Sequence, residues 1–363
     1  MNKTQRLRDI GQSLWLDNIT RELLDNGSLR RYIDQYAITG LTSNPTIFDE
    51  AIGHTEAYDE AIRSKAQAGK PGEALFIELA LEDLRRAADL FRPVFDASGG
   101  TDGWVSMEVS PLLAADTQGS IDAAARIHRQ ARRENLFVKI PGTPEGVSAI
   151  EQSIFNGVPI NVTLLFSPDQ YVAAAEAYFR GIERRIAAKR APRVASVASL
   201  FVSRWDKAIG KTIAPELRNE LGIAVGRQTY VAYRNLLASE RWQKLANAGA
   251  MPQRLLWAST GTKDPTASDT LYLESLAAPD TINTVPEKTL KAFADHGELH
   301  GVMPTDGGDS AEVLSQFARA GVNVDALAAQ LQADGAKSFV ASWHELLARI
   351  AEKSALLTAH AGN

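Results

Sequence analysis

Eight short apolar runs recur along the chain, each bounded by glycine, proline, asparagine or aspartate. They are SLWLDN (13–18), ITGLTSN (38–44), WVSMEVS (104–110), LFVKIPG (136–142), PINVTLLF (159–166), VASVASLFVS (194–203), RLLWAST (254–260) and TINTVP (281–286). Leucine, aromatic and β-branched residues dominate them, as in buried strands. Between the runs the period changes. RELLDNGSLRRYIDQY after the first run, FIELALEDLRRAADLFRPVF before the third and SPDQYVAAAEAYFRGIERRIAAK after the fifth repeat their apolar residues every three or four positions. That spacing belongs to helices with one buried face. Ser167 and Pro168 fit the cap and the first position of the last of these helices.

Strands alternating with helices imply parallel strands joined by crossovers. Eight of them predict an α/β fold of the closed (β/α)8 type rather than an open doubly wound sheet. No GxGxxG follows the first strand, which lowers the dinucleotide-binding alternative. Such a barrel takes about 250 residues, and this chain has 363. The surplus is expected as a helical insertion at 49–98, between the second and third strands, and as C-terminal helices over 287–363. No linker rich in Pro, Gly and Ser divides the chain, so 1–363 reads as a single domain.

Composition narrows the function classes. Apolar residues make up 45% and charged residues 23%, as in a soluble globular protein. No run approaches the 18 or so apolar residues of a membrane span. The start, MNKTQRLRDIGQSLWLDN, has no apolar core of signal-peptide length, so a cytoplasmic location is expected. A net charge of −5 argues against a general nucleic-acid or anionic-membrane surface. There are no cysteines, which excludes disulfides, thiolate metal sites and cysteine nucleophiles. His54, His128, His296, His300, His344 and His360 form no metal-binding spacing, so no metal is expected. The basic run RGIERRIAAKRAPR (180–193) reads as a solvated helix face, and Asp102–Gly103 as a turn.

In a barrel of this kind, chemistry sits at the carboxyl ends of the strands. Asp17 ends the first run, Asn44 the second, and Glu108 lies late in the third. Lys139 interrupts the apolar string LFVKIPG. Asn161 and Thr163 lie two apart in the fifth run and so share a face. Ser199 and Arg204 belong to the sixth, and Ser259 ends the seventh. A lysine is seldom buried without a partner. Desolvation and a neighbouring cation such as Arg204 would free its amine to attack a carbonyl as a Schiff-base nucleophile. The competing reading is a structural lysine, snorkelling to the rim or paired with Glu108. Glu108 and Asp17 could divide the proton transfers that Schiff-base chemistry needs, or serve as ion-pair partners. Asn44, Asn161 and Thr163 are candidates for holding substrate hydroxyls. The stretch LLWASTGTKDP places a glycine and Lys263 just after the seventh strand, where phosphate is often bound; Ser199, Arg204, Ser259 and Lys263, with backbone N–H groups near Gly261, are its candidate ligands, the competing reading being an ordinary glycine turn with surface cations.

The stretches SLWLDNI, GLTSNPTIF, VSMEVSP, FVKIPGT, INVTLLFS, VASLFVSRWD and WASTGTKDP, taken in order, resemble the transaldolase family, and in particular its longer bacterial members. The resemblance implies a TIM barrel with a Schiff-base lysine on the fourth strand and no metal or organic cofactor. It implies transfer of a dihydroxyacetone unit between sugar phosphates, by a monomer or homodimer. Carried across, the lysine falls on Lys139, the acid/base aspartate on Asp17, and the glutamate that works through a water on Glu108. Thr163 joins them as a catalytic position. Asn44, Asn161, Ser199, Arg204 and Ser259 fall on substrate-binding positions. One departure stands out. Shorter family members carry a phosphate-binding arginine two residues after the last serine, where this chain has Gly261; Lys263 is expected to supply the charge.

Overall fold

The computed structural model describes residues 3–70, 72–210 and 212–359, so His360 and the chain end lie outside the described residues. All eight expected strands are present: β1 Ser13–Asp17, β2 Ile38–Thr42, β3 Val105–Glu108, β4 Leu136–Pro141, β5 Ile160–Leu165, β6 Ser196–Phe201, β7 Gln253–Ala258 and β8 Ile282–Val285. They pair in parallel in the order β2-β1-β8-β7-β6-β5-β4-β3. Closure comes from a parallel bridge between Gly40 and Trp104, with Leu41 N donating to Trp104 O at 2.9 Å and Gly103 N to Thr39 O at 2.8 Å. The result is a (β/α)8 barrel. Its strands are buried along almost their whole length, because crossover helices cover the outer face and side chains fill the inner one.

The closing bridge requires its glycine. A Cβ on Gly40 would lie 2.7 Å from the indole of Trp15 and 2.8 Å from Trp104 O. Trp15, Phe137 and Trp104 fill the space beneath, with Trp104 and Phe137 stacked at 4.0 Å between ring centroids. The expected turn at Asp102–Gly103 is a bend with Gly103 at φ +85°, and it does more than reverse the chain. Asp102 is buried and accepts hydrogen bonds from Ser13 Oγ and from Trp15 Nε1, the latter at 2.7 Å. Arg254 lies 3.8 Å from its carboxylate and donates to Ser13 Oγ and Thr281 O. This polar cluster seals the amino-terminal end of the barrel.

The helical pattern over residues 21–36 divides into two helices, Arg21–Asp25 and Ser28–Tyr36. Gly27 takes a left-handed φ of 72° between them, while Asn26 Oδ1 accepts from Ser28 N, an Asx turn that competes with helix continuation. Ser167 caps the helix Pro168–Ala187 as expected, accepting from Gln170 N at 3.1 Å. The basic run on that helix is not merely a solvated face. Arg180 and Arg184 both pair with Glu151, and Arg185 donates to Phe155 O and Ala191 O, which ties the helix to its neighbour.

Residues 49–98 fall on three helices, Pro45–Gly53, Asp59–Gln67 and Gly72–Ala97. The third packs along β2 and β3 as a crossover helix does. The first two pack instead against the C-terminal helix Val324–Ala359. That helix has 36 residues and runs about 54 Å at 1.5 Å per residue. Trp343 meets Phe76 edge-on at 5.2 Å, Arg349 pairs with Asp49 at 2.7 Å and Lys353 with Asp59 at 2.7 Å. Gln332 Nε2 donates to Gly142 O (3.0 Å) and Leu164 O (2.9 Å), at the carboxyl ends of β4 and β5. The long helix therefore lies across the top of the barrel. Among the described residues no helix is long and apolar enough to cross a membrane.

Gly40→Ala is expected to lower stability by about 1–3 kcal/mol through overpacking at the closing bridge. A shift of the urea midpoint to lower concentration would register it; an unchanged midpoint would show that the bridge accommodates a methyl group.

Candidate active site

At the carboxyl ends of the strands, under the long helix, lies a cavity of about 400 Å³. Eight of the ten residues singled out in the sequence line it: Asp17, Asn44, Lys139, Thr163, Ser199, Arg204, Ser259 and Lys263. The other two, Glu108 and Asn161, are buried in contact with lining residues.

Strand register explains the floor. Glu108 on β3 stands opposite Lys139 on β4, and Lys139 stands opposite Asn161 on β5. Residues in register on adjacent strands point to the same side, so three polar side chains sit next to one another inside the barrel. Lys139 is only 6% exposed. Its Nζ lies 3.5 Å from Glu108 Oε2 and donates to Ser43 O at 3.0 Å. The competing reading of this lysine, an ion pair with Glu108, is therefore part of the structure and sits inside the cavity rather than away from it.

The carboxyls are perturbed. Burial raises the pKa of Glu108, Lys139 opposes that rise, Asp17 adds to it and Arg204 opposes it. Burial likewise raises Asp17, against the hydrogen bond from Thr42 and the charges of Lys139 and Lys263. Thr42 Oγ1 donates to Asp17 Oδ1 at 2.7 Å and also lies 2.7 Å from Thr284 Oγ1.

On the β5–β6 side, Asn161 accepts from Ser199 Oγ at 2.7 Å and donates to Ser106 Oγ at 3.2 Å. Thr163 Oγ1 is buried with no hydrogen-bond partner while its side chain lines the cavity. The backbone next to it is unusual: Leu164 has φ 58°, and the β5–β6 register shifts between Val162 and Leu165. Left-handed backbone in a non-glycine residue is costly and persists only where its surroundings hold it; here Gln332 holds the Leu164 carbonyl.

Asn44 caps the helix Pro45–Gly53, its Oδ1 accepting from Ile47 N at 3.0 Å, which leaves the amide NH₂ for the cavity. Arg204 stands in the first turn of the helix Ser203–Ile209, half-buried. Ser259 has φ 55° and lies 3.0 Å from Ser203 through their hydroxyls. Lys263 is at the rim; desolvation lowers its pKa, with Lys207 and Arg204 adding to the effect and Asp17 opposing it. β2 lies four strands away from β6 around the closed sheet, so Asn44 faces Arg204 across the mouth, and the cations gather on the β6–β7 side.

Several contributors were not singled out beforehand. Thr42 and Ser106 precede Asn44 and Glu108 by two residues, so strand alternation could have placed them. Ser43 acts through its carbonyl, which sequence does not advertise. Ser338 and Phe339 line the cavity from the long C-terminal helix, and no local pattern links that helix to the strand ends. Among the described residues, no group of three or more His, Asp or Glu side chains is placed to hold a metal ion.

A profile of the family described as Transaldolase/Fructose-6-phosphate aldolase matches residues 14–350. The chain belongs to this family. Its transaldolase relatives span nearly the full length. "Transaldolase" of Saccharopolyspora erythraea is 42% identical over 96% of this chain and 97% of its own. "Transaldolase" of Thiobacillus denitrificans is 42% identical over 96% and 100%, and "Transaldolase 2" of Nostoc punctiforme 39% over 98% and 99%.

The raised pKa of Asp17 has a consequence for stability. A carboxyl whose folded-state pKa is raised stabilises the fold below the ordinary aspartate pKa of about 4 and loses that contribution as pH rises through the folded value. Asp17→Asn removes the cost of burying the charge, so the variant should gain on the wild type as pH increases from 4 to 7. Parallel denaturation curves across that range test this; a stability difference independent of pH would show that Asp17 titrates normally.

Proposed function

We propose that this protein is a transaldolase that moves a dihydroxyacetone unit from sedoheptulose 7-phosphate to glyceraldehyde 3-phosphate through a Schiff base on Lys139. The products are erythrose 4-phosphate and fructose 6-phosphate, in the non-oxidative pentose phosphate pathway of the cytoplasm. The observation that carries the reading is the buried Lys139 amine in the cavity, 3.5 Å from the Glu108 carboxyl and close enough for its charge to act on a second, Asp17.

The geometry supports a role for each group. Glu108 takes a proton from the Lys139 ammonium, and the free amine adds to the ketose carbonyl. Glu108, through a water held by the unpartnered Thr163 hydroxyl, then protonates the carbinolamine oxygen, and water leaves to give the iminium. Asp17 removes the proton from the C4 hydroxyl, the C3–C4 bond breaks, and its electron pair passes into the iminium to form an enamine. The aldose departs while the three-carbon unit stays bound. The acceptor aldehyde is attacked by the enamine carbon, Asp17 returns its proton to the new hydroxyl, and hydrolysis frees the product ketose. A carboxyl raised above its ordinary range by burial suits this two-way exchange near neutral pH. The reaction is ping-pong and calls on no metal or organic cofactor.

Asn44, Asn161 and Ser199 hold the hydroxyls of the three-carbon unit, and Arg204, Ser259 and Lys263 hold the phosphate at the opposite side of the mouth. The glycine at 261 favours Lys263 as the replacement cation. A Cβ on Gly261 would come within 3.7 Å of Lys263 Nζ and 3.1 Å of Pro286 Cγ, so the ammonium sits over the position where a longer residue would begin.

Borohydride added with fructose 6-phosphate should fix a three-carbon adduct to Lys139, and Lys139→Ala should abolish both adduct and turnover while the protein remains folded. Mass spectrometry locating the adduct elsewhere would remove the assignment. Lys263→Ala should raise KM for phosphorylated acceptors by about tenfold, the value of one charge-assisted contact, and leave free glyceraldehyde unaffected; equal changes for both acceptors would show that Lys263 does not meet the phosphate.

A further inference from the structure

Arg204 is half-buried, and among the described residues no carboxylate lies within 4.0 Å of its guanidinium, although Glu108 acts on it from further off. Two aromatic rings flank it. The Phe201 ring lies 5.1 Å from the guanidinium carbon and the Phe339 ring 5.7 Å. Such contacts attract the cation without using its N–H donors. The C-terminal helix closes a further side: a Cβ at Gly335 would come within 3.1 Å of Arg204 Nη1 and 2.9 Å of Leu164 Cδ2. Arg204 itself lines the cavity.

The presence of a glycine here needs an explanation. Glycine is among the poorest helix formers, and Gly335 lies inside a 36-residue helix where its backbone is ordinary. Space accounts for it, since a Cβ there would press on the ends of the Arg204 and Leu164 side chains and shift them from their present places. The same helix carries its own register pin. Gln332, Gly335 and Phe339 follow one another at intervals of three and four and so share a face. Gln332 hydrogen-bonds the carbonyls of Gly142 and Leu164, and the ion pairs of Arg349 and Lys353 anchor the far end.

We propose that the C-terminal helix, through Gly335 and Phe339, is the positioning element that aims Arg204 at the substrate phosphate and thereby sets the preference for phosphorylated over unphosphorylated sugars. This rests on the assignment of Arg204 to phosphate made above. A long flexible cation held in one orientation before the ligand arrives loses little freedom on binding. Displaced, it would still carry its charge but would miss the paired geometry that a planar guanidinium offers to phosphate oxygens.

Gly335→Ala tests the idea, because alanine is the better helix former and does not weaken the helix itself. KM for fructose 6-phosphate should rise at least about tenfold with kcat little changed, the scale expected for a misplaced binding group. Turnover of unphosphorylated fructose, and borohydride trapping with dihydroxyacetone, should stay at wild-type levels. Phe339→Leu should shift the ratio of phosphorylated to unphosphorylated turnover in the same direction. Equal losses for both sugars, or an unchanged KM in Gly335→Ala, would overturn the proposal. Arg204→Ala separates the two levels of the argument. If it leaves the phosphate preference intact, the assignment of Arg204 is wrong and the proposal goes with it. If it removes the preference while the helix variants keep it, Arg204 binds phosphate but is positioned by something else.

Discussion

A lysine and a glutamate, both buried and in register on adjacent strands, set the terms for the rest of this structure. Their nitrogen and oxygen are 3.5 Å apart. Removing two charges from water costs several kcal/mol for each, and a buried pair regains that only with good geometry and further hydrogen bonds. The pair here gets one, from Lys139 to Ser43 O, while Glu108 Oε2 has no hydrogen-bond partner. An apolar pair in the same positions would serve the barrel as well or better. On the proposed mechanism its retention makes sense as chemistry: a nucleophile stored next to the base that takes its proton.

The surroundings then divide the labour. Burial is the main cause raising both carboxyls, but they differ in partners. Glu108 meets the lysine directly, whereas Asp17 is held by the Thr42 hydroxyl. Two acids in distinct environments can act at different steps of one reaction. The closed barrel adds a second division, by distance. Strands β2 and β6 stand across from each other, so the end of the cavity near Asn44 and the cationic end near Arg204 and Lys263 are separated by the width of the mouth. On the proposed reading, a sugar phosphate lying between them is oriented by charge at one end and by hydrogen bonding at the other.

What could be read from the sequence follows the range of the forces involved. The strands, and the shared face of Asn161 and Thr163, come from local pattern; a nearly continuous apolar string such as LFVKIPG leaves open whether Lys139 points into the barrel or toward the helices, and register with Glu108 and Asn161 decides it. The split of residues 21–36 at Asn26–Gly27 is local too, but an apolar period runs through it, and the competing Asx turn shows only in the structure. The Arg254–Asp102 cluster and the reach of Gln332, Gly335 and Phe339 into the site are different. Each joins residues more than 120 positions apart, and no spacing within the C-terminal helix announces which strand ends it will cover. For Lys139 the chain leaves both a nearby cation and pairing with Glu108 open, and register with β3 places Glu108 beside it.

The two cations at the phosphate end illustrate how such tertiary contacts change the meaning of a substitution. Arg204 is boxed by two aromatic rings and a glycine, so its planar donors are fixed and can select for geometry. Lys263 stands at the rim on a flexible stem, near Gly261, and offers a point charge with no fixed plane. An arginine at 261 would be pressed between Pro286 and that ammonium, whereas a glycine leaves the lysine room to settle. Direction therefore comes from the residue that is enclosed and charge from the one that is free. On this division the C-terminal helix belongs to the binding site as much as any strand does, because without its glycine and its phenylalanine the arginine would be a second mobile charge.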